Sequence, residues 1–267
     1  MTTALPGERA PRGALLLTLD LGNTGLKACL FEPSRSRPVD HLTRAWAEGD
    51  SVEALVRWLS ARPRPTAAVA ASVVSAALEE PLERMLLDRL TIRLDLRPSA
   101  GLALEVESPE TVGADRLFAA RGALARTGDS ALVVDAGTAL TVDAVRADPP
   151  VFLGGAIAPG PGLLARALAL GTARLPAIDP RPLAPALGRD TRQALEAGIA
   201  VGFAGAASAL VEGVGRESGL GVRSVVLTGG ARGFLEAALG RSVACLTVDE
   251  HLVHLGLRAA AGERGRP

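Results

Sequence analysis

The sequence predicts an α/β protein made of two duplicated lobes. One pattern occurs twice: an apolar strand ends in Asp, a Gly-containing turn follows, and a second strand returns at once. The pattern is "ALLLTLDLGNTGLKACLFE" from residue 14 and "ALVVDAGTALTVDAV" from residue 131, and Asp20 and Asp135 occupy matching places in it. The length of 267 residues is large for one domain and suits two small ones. We therefore expect two lobes with a cleft between them.

The N-terminal lobe is predicted over residues 14–127, after a disordered extension at 1–13 that is polar and contains Pro and Gly. Hydrophobic periodicity predicts a helix, a buried strand, a second helix and an extended segment that enters a third helix. In chain order these are "SVEALVRWLSA", "TAAVAASVV", "LEEPLERMLLDRL" and "GLALEVESPETVGADRLFAARGALAR".

The C-terminal lobe is predicted over residues 128–259, followed by a tail at 260–267. A third strand, a helix, a Pro-rich connection, a long helix and a strand with a Gly-Gly turn follow the second hairpin. The long helix has an Asp-Thr start signal and a Gln at a capping-box position. These segments are "VFLGGAIAPG", "GLLARALALGTARLP", "PRPLAPALGRD", "DTRQALEAGIAVGFAGAASALVEGVGRE" and "SVVLTGGARGFLEAAL".

Composition excludes several classes of function. The 29 basic and 29 acidic residues balance, which disfavours a nucleic-acid or anionic-membrane surface. The stretch between Glu196 and Glu212 is free of charge but shorter than the roughly 18 residues that cross a bilayer. Rich in small residues, it predicts a fully buried helix that packs against a second subunit. With no signal-peptide core, we expect a cytoplasmic protein.

The two cysteines, Cys29 and Cys245, stand far apart in the sequence, without a C-x-x-C motif or a nearby His. They predict two small buried side chains in a reducing compartment, and neither a zinc site nor a redox pair.

The first turn also contains the only asparagine, Asn23, and the only lysine, Lys27. A carboxylate at a strand end, free backbone amides beside glycine and a hydroxyl suit a phosphate chain with bound magnesium. Lys27 could carry its ammonium back to the same place. The alternative is a tight hairpin with a salt-bridged lysine and no ligand.

Two such turns from duplicated lobes could hold one nucleotide, and "LTGG" offers a glycine surface for an adenosine. Neither the dinucleotide-binding G-x-G-x-x-G pattern nor a P-loop motif is present. The duplicated hairpins resemble the superfamily that includes actin, sugar kinases and heat-shock chaperone ATPases. This resemblance implies two ribonuclease-H-like (actin-like ATPase) domains with a nucleotide cleft between them.

A narrower resemblance covers residues 15–257. It is carried, in order, by "DLGNTGLK", "ESPETVGADR", "VVDAGTALTVDAV", "FLGGAIAPG", "GTARLP" and "VVLTGG". These motifs resemble the type III pantothenate kinases, which phosphorylate pantothenate to 4′-phosphopantothenate with ATP in the first step of coenzyme A synthesis. The resemblance implies ATP, Mg²⁺, a monovalent cation (K⁺ or NH₄⁺) and a homodimer.

The resemblance also implies roles for individual residues. Asp115 matches the proton acceptor for the substrate hydroxyl, and Asp135 matches the carboxylate that binds the monovalent cation. The residues matching ATP contacts are Asp20, Leu21, Gly22, Asn23, Thr24, Gly25, Leu26, Lys27 and Thr138. The residues matching pantothenate contacts are Gly113, Ala114, Asp115, Arg116 and Thr172, the last near a dimer interface.

Alternatives stay open for several residues. Asp115 and Arg116 could form a surface ion pair, Asp135 could cap a strand end, and Thr172 could be a hydroxyl at a helix C-terminus. The family commonly has an aromatic residue before the "GADR" segment, which this chain lacks. The activity could instead be directed at another hydroxy acid or a sugar, or the chain could bind nucleotide without turnover.

The three histidines, His41, His251 and His254, lie in segments without other functional signals. We expect them at the surface or partly buried, and the sequence assigns them no role.

Overall fold

A computed structural model describes residues 15–263 and contains a five-stranded and a six-stranded β-sheet. The strands of the first sheet are β1 (Leu15–Leu21), β2 (Gly25–Phe31), β3 (Asp40–Ala45), β4 (Pro65–Ser72) and β5 (Leu94–Asp95). The strands of the second are β6 (Ala103–Leu104), β7 (Ala131–Ala136), β8 (Ala139–Arg146), β9 (Val151–Pro159), β10 (Val225–Thr228) and β11 (Leu246–Val248). The α-helices are α1 (Ser51–Ser60), α2 (Ala76–Leu90), α3 (Ala114–Thr127), α4 (Pro161–Gly171), α5 (Thr191–Glu217), α6 (Glu236–Ser242) and α7 (Leu252–Glu263).

The two sheets repeat one topology. The first has the order β3-β2-β1-β4-β5, and the second has β9-β8-β7-β10-β11 with the short β6 beside β9. In both, three antiparallel strands formed by consecutive hairpins are extended by two parallel strands. The predicted α/β class and the predicted duplication are therefore confirmed.

The chain divides into two compact units that do not follow sequence order throughout. The first comprises residues 15–102, 110–126 and 251–263, and the second comprises 103–109 and 127–250. Helix α7 thus belongs to the first unit, although its sequence position suggested the second lobe. The predicted extension at 1–13 and the last four residues of the predicted tail lie outside the described residues.

The sheet of the first unit has one apolar face and one face with polar side chains. Successive side chains of β1 point to opposite faces, and Leu17, Leu19 and Leu21 belong to the apolar core formed with α1 and α2. Thr18 and Asp20 point to the other face. Helix α7 packs against β1, β2 and β4.

The second unit is built around the long helix α5. Asp190 caps it by accepting a hydrogen bond from the Gln193 backbone N–H over 2.8 Å, as the sequence predicted. Buried Phe203, Ala207 and Val211 pack against the second sheet. The prediction of a fully buried helix is wrong, however, because Val201 on the other face is 51% exposed.

Helix α5 is long and apolar enough, by length and composition, to cross a membrane, contrary to the expectation from its uncharged stretch. The core helix of a soluble protein can be equally long and apolar, so this property alone is weak evidence for a membrane-spanning helix. The cysteine prediction is half right, since Cys29 is buried and Cys245 is exposed.

Candidate active site

The first Gly-containing turn of the sequence folds as a tight hairpin between β1 and β2. The Gly22 N–H donates to the Gly25 carbonyl over 3.0 Å, which closes the turn. Trp46 braces it from β3's end: its indole N–H donates to the Gly22 carbonyl over 2.8 Å, and its backbone N–H donates to Thr24 over 3.0 Å. Sequence reasoning missed Trp46, although its rarity as one of two tryptophans was an available signal.

Asp20 and Lys27 are direct partners across this hairpin. They stand opposite each other in the β1–β2 register, and the ammonium lies 3.3 Å from the carboxylate. Burial raises the pKa of Asp20 above its ordinary value of 3.8; Lys27 opposes this shift and the negative charge of Asp115 adds to it. Within the first unit, the Asp20 carboxylate is therefore paired with the Lys27 ammonium and repelled by the Asp115 carboxylate at the start of α3.

Asp115 lies in the first turn of α3, where the sequence placed it. Its Oδ1 accepts a hydrogen bond from the Arg116 backbone N–H over 2.8 Å. A side chain at Gly113 would collide with this carboxylate and touch Val73 beyond it. Glycine at 113 thus leaves the carboxylate of Asp115 its space beside β4's end.

The second unit contains the matching hairpin between β7 and β8. Its Gly137 N–H donates to the Ala139 carbonyl over 2.9 Å, as Gly22 does to Gly25. The carbonyl oxygens of Gly137 and Thr138 both lie against Gly160, where a side chain would collide with them. Asp135 is half-buried at the end of β7. The described residues include no group of three His, Cys, Asp or Glu side chains that could hold a metal ion.

The Gly-Gly turn after β10 packs directly onto Asp135. Gly229 has φ +94°, and a Cβ there would collide with the Ala136 carbonyl and the Asp135 carboxylate. The Ala231 N–H donates to the same Ala136 carbonyl over 2.7 Å. Arg232 follows, donating to the Gly229 carbonyl over 3.2 Å. The motifs "VVDAGT" and "VVLTGG" therefore meet in one place.

Thr172 lies at the C-terminus of α4 in the second unit. Its hydroxyl donates to the Leu168 carbonyl over 2.8 Å and accepts from the Leu175 N–H over 3.3 Å. It thus performs the helix-terminal role that the sequence left open as an alternative. It also lines an apolar groove between α4 and α5, together with Leu164 and Phe203.

The sequence assigned no role to the histidines, and they were expected at the surface or partly buried. His254 is instead only 2% exposed. Its Nδ1 lies 2.9 Å from the Thr18 hydroxyl. No local pattern in the sequence could reveal this contact, because the two residues are 236 positions apart.

Comparison with solved structures agrees with the fold. A protein of Sinorhizobium meliloti provisionally called a 2-dehydro-3-deoxygalactonokinase superposes with a TM-score of 0.57, at 16% identity over 93% of this chain and 96% of that one. The ethanolamine utilization protein EutJ of Carboxydothermus hydrogenoformans superposes with a TM-score of 0.54, at 12% identity over 95% of this chain and 92% of that one. At such identities the likeness concerns the fold alone.

Sequence comparison identifies the family. A relative named type III pantothenate kinase from Thermus thermophilus is 37% identical over 94% of this chain and 100% of its own length. Another of that name, from Halorhodospira halophila, is 36% identical over 84% of this chain and 89% of its own. The family model for type III pantothenate kinase matches residues 16–213. The chain therefore belongs to the type III pantothenate kinase family.

Proposed function

We propose that this chain transfers the γ-phosphoryl group of ATP to pantothenate, which yields 4′-phosphopantothenate for coenzyme A synthesis. Membership of the family and the names of the relatives support this reaction. The observation that carries it is the Asp20–Lys27 ion pair in the first hairpin, whose carboxylate is repelled by the charge of Asp115. It puts a second carboxylate close enough to interact with groups that suit a phosphate chain.

The division of labour follows from the chemistry of phosphoryl transfer. Its transition state is loose, so the protein mainly positions the reactants and neutralises charge. Asp115 orients the substrate hydroxyl and accepts its proton. Lys27 and backbone amides of the turn after Gly22 would contact the phosphates, and Asp20 would hold hydrated Mg²⁺. Arg116 pairs with the pantothenate carboxylate.

The oxygen atoms of the hairpin that begins with Asp135 suit a monovalent cation. One carboxylate with nearby carbonyl oxygens suits K⁺, a weakly charged cation that takes oxygen ligands. The carbonyls of Gly137 and Thr138 lie together against Gly160, at the end of the hairpin that begins with Asp135. We assign the cation to Asp135 and these carbonyls, and a contact with ATP to Thr138.

The exposed face of α5 supports a homodimer. It presents small or apolar side chains to solvent and is continuous with the apolar groove that Thr172 lines. A second copy would cover this face and bring Thr172 into a closed environment, where it contacts pantothenate. We place the enzyme in the cytoplasm.

A coupled assay with pantothenate, ATP, Mg²⁺ and K⁺ tests the function. Native protein should turn over, and Asp115→Asn, which keeps the shape and removes the base, should lose about 10²–10⁴-fold in kcat. Undiminished turnover in the variant would remove Asp115 as the base. Consumption of ATP with a sugar but not with pantothenate would change the substrate, and nucleotide binding without any turnover would identify a non-catalytic relative.

A further inference from the structure

All three histidines of the chain gather on the polar face of the first sheet. His41 on β3 stands opposite Cys29 on β2, and Cys29 stands opposite Thr18 on β1. His251, just before α7, has its Nδ1 3.6 Å from the Cys29 sulfur and its ring 5.1 Å from that of His41. We call these residues, together with His254 on α7, the histidine layer.

The histidine layer is adjacent to the Asp20–Lys27 pair. Residues two apart in a strand point to the same face about 6–7 Å from each other. Thr18 and Asp20 are such neighbours on β1, and Cys29 and Lys27 are such neighbours on β2. The hydrogen bond between His254 and Thr18 therefore holds β1 two residues before Asp20, the carboxylate that we assign to the nucleotide site.

The buried imidazole of His254 reduces the stability of the fold. Burial, together with repulsion from Lys27, His251 and His41, lowers its pKa to about 3, so the ring is neutral near pH 7. Its Nδ1 bonds Thr18, but its Nε2 is buried with no hydrogen-bond partner among residues 15–263. An unpaired buried polar atom costs stability, because the hydrogen bond it made with water is not replaced. A leucine would fill the same space without that cost.

The layer is not arranged as a metal site. Within residues 15–263 no three His, Cys, Asp or Glu side chains are placed to share an ion. Nor does the sulfur of Cys29 face solvent, since that residue is 1% exposed. What the layer does provide is a polar attachment of α7 to β1 and β2 directly beside the phosphate-binding hairpin.

We propose that His254 is a positioning residue for the nucleotide site, which fixes β1 through the Thr18 hydroxyl and so sets the position of Asp20 against Lys27. The inference rests on the proposed role of these two residues at the phosphates. Small displacements of groups around a reacting centre are costly, since a shift of about 1 Å can reduce the rate 10²-fold. Without His254, the Thr18 hydroxyl retains, among residues 15–263, only its hydrogen bond to the Cys29 carbonyl at 3.4 Å.

The test separates the hydrogen bond from the shapes of the two side chains. Thr18→Val and His254→Leu remove the bond, whereas Thr18→Ser and His254→Asn keep a hydroxyl or a donor in place. We expect each of the first pair to raise the KM for ATP about 3–10-fold and to leave the KM for pantothenate within twofold. The second pair should stay within about twofold of the native KM for ATP. The double variant Thr18→Val/His254→Leu should be no worse than either single change, because both remove one interaction.

Two controls keep the outcome unambiguous. His41→Ala changes the exposed edge of the layer and should leave both KM values unaltered. Thermal unfolding should show His254→Leu at least as stable as native protein, because the unpaired nitrogen is gone. An unchanged KM for ATP in His254→Leu would overturn the proposal. Multiplicative effects in the double variant, or equal rises in both KM values with a lower Tm, would also overturn it.

Binding of Mg-ATP can be followed separately from turnover. Trp46 donates to the Gly22 carbonyl within the hairpin, so its fluorescence reports on nucleotide binding, with Trp46→Phe as the blank. The same 3–10-fold weakening is expected in the Kd of His254→Leu. If native protein binds Mg-ATP but does not phosphorylate pantothenate, the proposed function fails while this measurement still decides the role of His254.

Discussion

Asp20 and Lys27 face each other across the β1–β2 hairpin, with the ammonium 3.3 Å from a carboxylate oxygen. The two partners differ in exposure, at 10% for the aspartate side chain and 48% for the lysine. The negative charge is therefore the buried one. Its pKa is raised because burial outweighs the help of Lys27 and because Asp115 adds repulsion. The folded chain keeps this charge at a cost in stability, which fits the proposed role of Asp20 at the nucleotide site.

Asp20→Asn should therefore make the protein more stable and less active. A carboxyl with a raised folded-state pKa destabilises the fold wherever it is ionised, so at pH 7 a neutral amide removes that cost. We expect about 1 kcal/mol of added stability in urea unfolding and a loss of at least about 10²-fold in kcat. Asp50→Asn is the control: its exposed ion pair with Arg57 is worth about 0–1 kcal/mol, so this variant should not gain stability. A less stable Asp20→Asn would contradict the argument.

The buried His254 predicts a specific loss of stability in acid. Its pKa is about 3 in the folded chain against 6.5 ordinarily, so between these values the unfolded chain binds a proton that the folded chain does not. Stability must then fall as the pH is lowered from about 6.5 to about 3, by up to about 1.4 kcal/mol per pH unit from this group. Chemical unfolding at pH 7, 6, 5 and 4 should show a shallower decline for His254→Leu than for native protein. Parallel declines would assign acid sensitivity to other groups.

Local patterns were sufficient for the parts of the fold that depend on neighbours in sequence. The apolar run, the Gly-containing turn and the alternating segment after it predicted the β1–β2 hairpin, and Asp190 with Gln193 predicted the start of α5. Both features are set within a few residues, where strand periodicity and capping act. The candidate site residues Gly113 and Asp115 were predicted from the resemblance to a family motif. Periodicity could not have indicated them, because it does not depend on contacts between distant segments.

Contacts between distant segments could not be predicted in this way. Helix α7 packs in the first unit because its backbone meets α3 at Gly256 and Gly122, where neither helix has a side chain to keep them apart. The bond from His254 to Thr18 depends on that packing. The exposed face of α5 was missed for a related reason: small residues on all sides of a helix do not indicate which side meets the sheet.

The Gly-Gly turn at 229–230 offers a matched pair of substitutions. Gly229 has φ +94°, and a Cβ there would strike the backbone of Ala136 and the Asp135 carboxylate, whereas a Cβ at Gly230 meets nothing within 4 Å. Gly229→Ala should lose about 2–4 kcal/mol of stability, and Gly230→Ala should stay within about 0.5 kcal/mol of native protein. Urea unfolding measures both. Equal effects would mean that the turn adapts and that its contact with Asp135 is not fixed.

The exposed stripe on α5 predicts how the proposed dimer can be separated. Gly205 lies on it, and a Cβ there would meet nothing within 4 Å of the same chain. Gly205→Glu should therefore fold, and replacing glycine in a helix favours the helix by about 0.5–1 kcal/mol. A buried carboxylate would, however, exclude a second copy from this face.

Light scattering after size exclusion should then show native protein at twice the chain mass and Gly205→Glu at 27.3 kDa. Gly262→Glu is the matched control, since Gly262 is also an exposed helical glycine with open space around it, but on α7. It should remain dimeric. Thr172 lines the groove beside this face. The KM of the Gly205→Glu monomer for pantothenate should therefore be higher than that of native protein, and its KM for ATP nearly unchanged. A native protein that is monomeric at micromolar concentration, or a Gly205→Glu variant that stays dimeric, would show that α5 is not the interface.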